Sequence, residues 1–88
     1  LTANTTAVSG GAYIANTTAS AFTLTLPSAP ADNDHILIND GMGQFSTNSL
    51  TIARSGNNIA GLSQDLVCDV DYSSFRLTFK TTIGWILT

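Results

Sequence analysis

Apolar and polar residues alternate along most of this chain. In "AFTLTLP", Phe22, Leu24 and Leu26 fall on one side and Thr23 and Thr25 on the other, and Pro27 ends the ladder because it has no N–H to give. The same period of two groups Ile36 with Ile38 in "HILIN", Leu50 with Ile52 in "SLTIA", and Leu66 with Cys68 and Val70 in "LVCDV". It also groups Phe75, Leu77 and Phe79 in "SFRLTFK", and Ile83, Trp85 and Leu87 in "IGWILT". No window repeats apolar positions at helical spacing without a Gly, Pro or β-branched cluster intervening, so strands are predicted throughout. The segments between them, "SAPADND", "DGMGQ", "RSGNN" and "DYSS", are rich in residues that tolerate turn dihedrals or cap the backbone locally. The predicted fold is all-β, a small antiparallel β-sandwich or short barrel of about 7–8 strands. Its core is expected to hold Phe22, Leu24, Leu26, Ile36, Ile38, Leu50, Ile52, Phe75, Leu77, Phe79 and Trp85.

Composition sharpens this picture. A chain of 88 residues makes a single β-domain, residues 1–88, with a thin core. Charged residues are only 10% of it, well below the roughly 25% of an average soluble domain, so an interface with a partner is expected. Val8, Ile14, Val67 and Ile86 lie opposite or outside the alternating core sets and need cover. The net charge of −3 and the absence of a basic run argue against nucleic-acid binding. No apolar stretch has the length of a membrane-spanning helix, and no membrane partner is expected. A start at Leu1 and an end inside an apolar run suggest a module of a longer protein.

Candidate chemistry is sparse. The sole histidine sits in "ADNDH" behind Asp32 and Asp34, a start like D-x-D of a calcium loop, but Ile36 and Leu37 stand where a further oxygen ligand and a glycine are needed. A turn, with Pro30 presetting φ and the Asp and Asn side chains bonding nearby N–H groups, accounts for the cluster better. Asp69 and Asp71, two apart on the "DLVCDVD" strand, could hold an ion with Asp65, but acids at a strand edge more often serve to deter strand-to-strand association. Cys68 reads as a small buried side chain. There is no G-x-S-x-G elbow and no phosphate-binding loop, so no enzyme, no catalytic residue, no metal and no cofactor is expected. Tyr13 and Tyr72 are the candidate sugar contacts, because an aromatic face with a polar tip suits a saccharide; Trp85 continues a core face. "ANTTA" occurs at Ala3–Ala7 and Ala15–Ala19, a hint of a duplicated turn-strand unit that also matches the N-glycosylation acceptor pattern, though no secretory signal accompanies it.

Taken in order, "FTLTLPSAPADND", "ILINDGMGQFSTNSLTI", "ARSGNNIAG", "DLVCDVD" and "SFRLTF" followed by "GWILT" resemble a recurrent module of tailed-bacteriophage virion proteins, found in tail fibres, tailspikes and related appendages. The similarity spans nearly the whole chain, while His35, Cys68 and "KTTIGW" are peculiar to it. The resemblance implies a small non-enzymatic β-unit on the phage particle surface or tail, assembled as a homotrimer with other virion proteins and facing a host surface polysaccharide. Val67 and Ile86 are the residues expected near the contact. Two alternatives from other classes are a capsid decoration or cement protein and a carbohydrate-binding module.

Overall fold

The computed structural model describes residues 1–88. Its regular structure is entirely strand: β1 (Thr5–Thr6), β2 (Ala12–Ala15), β3 (Phe22–Thr25), β4 (His35–Asp40), β5 (Leu50–Ala53), β6 (Leu66–Cys68), β7 (Ser74–Lys80) and β8 (Gly84–Leu87). They form two four-stranded sheets, ordered β1-β3-β5-β6 and β2-β4-β7-β8.

The expectation of an antiparallel sandwich or barrel is overturned, because both sheets are mixed. β1, β3 and β5 run parallel, as do β2 and β4, while β6, β7 and β8 join antiparallel. Parallel neighbours need a long crossover between them. Here a strand of the opposite sheet serves as that crossover, so from β1 to β5 the chain alternates between sheets and winds as a coil. Alternation reports that a strand has one buried face but says nothing of its direction, and corners such as "SAPADND" link the two sheets rather than closing hairpins within one.

The winding stacks like on like. Phe22 lies beside Leu50 and Leu24 beside Ile52 on the inner face, with Thr23 beside Thr51 outside. On the other sheet Ile36 faces Leu77, Phe79 faces Trp85, and the Phe79 and Trp85 rings meet edge to face at 5.3 Å. These residues share one core cluster. Every expected core residue is buried except Phe75, which is half-buried against the cluster.

Phe45 and Ile59 are also buried, and neither lies in a run with strand periodicity. Ile59 stands between two tight turns, where consecutive positive φ values at Ser55 and Gly56, and again at Ala60 and Gly61, reverse the chain twice. Between those reversals it pairs with Leu62 and with Trp85 of β8. The grouping of Leu66, Cys68 and Val70 needs correction: β6 stops at Cys68, and Val70 is exposed in the following turn. Ile83 and Leu87 are likewise exposed while Trp85 is buried, because Ile83 belongs to the turn before β8. The two "ANTTA" segments are not equivalent either. The first forms β1, whereas the second follows β2 into a loop that Asn48 fastens through the carbonyls of Thr17 and Thr18.

Candidate functional site

The aspartates are the main polar architecture, and five of the six accept hydrogen bonds from backbone N–H groups. In the Asp32–His35 corner, Asp34 accepts from the Ala31 N–H at 2.8 Å and the Ser9 hydroxyl at 2.9 Å, closing its own turn and tying it to the β1–β2 loop. Asp32 accepts from both the hydroxyl and the N–H of Thr81, which fixes the corner to the β7–β8 turn. These donors hold both carboxyls below the usual carboxylate range, the Thr81 hydroxyl acting most on Asp32 and the Ala31 N–H most on Asp34. Asn33 takes the left-handed φ of 70° that Asn tolerates, and the exposed His35 begins β4. The corner's acids are thus occupied as loop fasteners.

Asp40 is the residue that alternation alone passes over. Ending β4 on the inward face, it is only 6% exposed. One carboxylate oxygen accepts from the N–H groups of Met42 and Gln44, each at 3.2 Å, and the other from those of Phe45 at 3.2 Å and Tyr72 at 3.0 Å. Burial pushes this carboxyl up, but the four N–H groups together outweigh it and hold it below its ordinary value. The bonds fold the Gly41–Ser49 segment back so that Phe45 enters the core, and they join that loop to the β6–β7 turn. The only advance signal was an Asp directly before "GMGQ", a residue suited to bonding the N–H groups of a following turn.

Asp69 and Asp71 do not share a strand face, since both lie beyond the end of β6. Asp71 accepts from the Ser46 N–H and Asp65 from the Arg54 N–H, so the two are committed to different loops, and no three potential metal ligands converge. Cys68 is buried, and burial, with the charge of Asp69 adding to it, pushes its thiol up to about 12, which keeps the thiolate scarce at neutral pH. Tyr13 folds over Gly11 and its hydroxyl accepts from the Val8 N–H at 2.8 Å, so its polar tip is engaged within the chain. Tyr72 is 75% exposed and leans on Gly43, where a side chain would collide with its ring.

Strand order leaves two ends. At one, β1 and β2 are edge strands, with Val8 and Ile14 exposed; at the other, β6 and β8 are edges, with Val67 55% and Ile86 40% exposed. Ile59 covers part of the β8 edge, its neighbours Asn58 and Ala60 taking the N–H and C=O of Trp85. Past that point an apolar groove opens between the sheets, lined by Leu66, Val67, Val70, Phe75 and Leu87. Compared with protein-family models and with curated proteins, the chain matches none.

Proposed function

We propose that this chain is a non-enzymatic structural module of a bacteriophage virion appendage, of tail-fibre or tailspike type, and that it assembles as a homotrimer. The observation that carries the reading is the presence of exposed apolar side chains at both ends of the strand order, Val8 and Ile14 at one and Val67, Val70, Ile86 and Leu87 at the other. Two different apolar edges suit a head-to-tail contact, in which the β1/β2 edge of one copy meets the β6/β8 edge of the next. Such heterologous contacts close into rings when the rotation allows. These side chains are already partly covered, so closing the contact over each contributes about half of a full burial, roughly 1 kcal/mol, a useful supplement for a domain with a thin core. Asp69 is the only charged residue lining the β6/β8 groove, and the order of strand and turn segments resembles appendage modules over nearly the whole chain.

Sedimentation velocity of the intact protein that carries the chain tests this. A trimer across micromolar concentrations is expected, with Val67→Asp dissociating copies before it unfolds them. A monomer, or a Val67→Asp variant that loses stability with assembly intact, contradicts it.

A further inference from the structure

A second surface feature lies away from both edges. A shallow depression of about 220 Å³ opens between the Arg54–Asn57 turn and the turn joining β7 to β8. Five of its seven lining residues are Gly, Asn or Thr, and none is ionisable, so its recognition chemistry is that of neutral hydrogen bonding. Asn amides and Thr hydroxyls can each donate and accept, and the side chains of Asn57 and Thr82 make no hydrogen bond within the chain, whereas Asn58 accepts from Ser63. The half-exposed Ile83 adds apolar surface beside these groups, while the buried Phe79 contributes only a small edge.

The backbone here is unusually constrained. Thr82 has φ of 73° in the Lys80–Ile83 turn, a left-handed conformation that favours Gly or Asn and a genuine outlier for a β-branched residue. Gly84, at φ 104°, lets the strand pass so close to the Asn58 carbonyl that any side chain would collide with it. The Thr82 hydroxyl is unbonded within the chain, so this strained turn presents it at the depression with its donor and acceptor capacity free.

We propose that this depression binds a neutral saccharide. Polar groups that both donate and accept, set beside an apolar side chain with no ionisable residue in the lining, match the hydroxyl edges and C–H face of a pyranose. The volume falls below the roughly 300–1,000 Å³ of pockets that enclose a whole ligand, so the site takes one sugar unit of a longer chain. It would extend the appendage reading to receptor contact but does not depend on it, since binding and assembly are measured separately.

The test is titration of the ¹⁵N-labelled protein with the methyl glycosides of glucose, galactose, mannose, rhamnose and N-acetylglucosamine, with inorganic phosphate as the ionic control. Saturable shifts are expected in the amides of Gly56–Asn58 and Thr82–Gly84 with at least one sugar, weakened about tenfold or more in Asn57→Ala. Thr82→Gly should bind more weakly while melting no lower than the wild type, a combination that a purely structural role for Thr82 would not produce. The proposal is overturned if no glycoside shifts these amides, if phosphate shifts them and the sugars do not, if the shifts centre on Tyr13 or Tyr72, or if Thr82→Gly retains full affinity.

Discussion

Replacing Asp40 with asparagine keeps the shape of the side chain while removing its charge and one of its two acceptor oxygens. Two of the four N–H groups it serves would then face an NH₂ group, a donor against donors. Hydrogen bonds to a charged group contribute roughly 1.5–3 kcal/mol each, so two lost bonds give a gross figure of about 3–6 kcal/mol. The bonds, at 3.0–3.2 Å, lie at the long end of the usual range, which places the expected cost at the low end, about 2–3 kcal/mol. Against a total stability of about 4–13 kcal/mol for a chain of this length, that is a large share, and it lowers Tm by roughly 10–20 °C. The pH dependence follows from the direction of the shift. Because the folded carboxyl is held below its ordinary value of 3.8, its contribution is fully present above that value and is lost as pH falls through the folded pKa. Urea denaturation of wild type and Asp40→Asn should therefore show a constant gap at neutral pH that narrows below about pH 4. A gap under about 0.5 kcal/mol at neutral pH, or one unchanged in strong acid, would refute this account of the hub.

Other substitutions report on separate parts of the fold. Leu77, fully buried between its partners Ile36 and Leu87, should cost about 2–5 kcal/mol when cut to alanine, read as a fall in urea midpoint. Thr17 is fully buried with no partner for its hydroxyl, so Thr17→Val should stabilise by about 1–2 kcal/mol in the same assay. His35→Ala should change stability by less than about 0.5 kcal/mol, since the side chain is exposed and the contact His35 does make, its carbonyl to the Gly10 N–H, belongs to the backbone; a large loss of Tm would return the acid-histidine cluster to consideration as a site.

The inner faces of β3, β4, β5 and β7 were legible in the sequence because a strand covered on one side must alternate, and Phe22, Leu24, Ile36, Ile38 and Leu77 do so. Direction was not legible, since Leu24 would alternate equally well beside a parallel or an antiparallel neighbour. The pairing is set by where the loops deliver each strand, and that depends on long-range bonds such as Asp32 to Thr81 and Asp40 to Tyr72. Phe45 escaped for the same reason: it enters the core because a carboxylate five residues earlier bends its loop, not because it lies on a strand face. The acids near His35 could be read as a turn from local chemistry alone, whereas the depression at Asn57 and Thr82 joins segments far apart in the chain and leaves no local pattern.

The head-to-tail contact between unlike edges is tested most directly by mixing two variants, Ile14→Asp and Val67→Asp, each with one damaged edge and one intact edge. Sedimentation of the separate variants and of an equimolar mixture should give monomers for each alone and a one-to-one dimer for the mixture, because the surviving edges complement each other once and cannot close a ring. A mixture that stays monomeric while the wild type is trimeric would mean that like edges meet, or that another face holds the trimer, and would contradict the account.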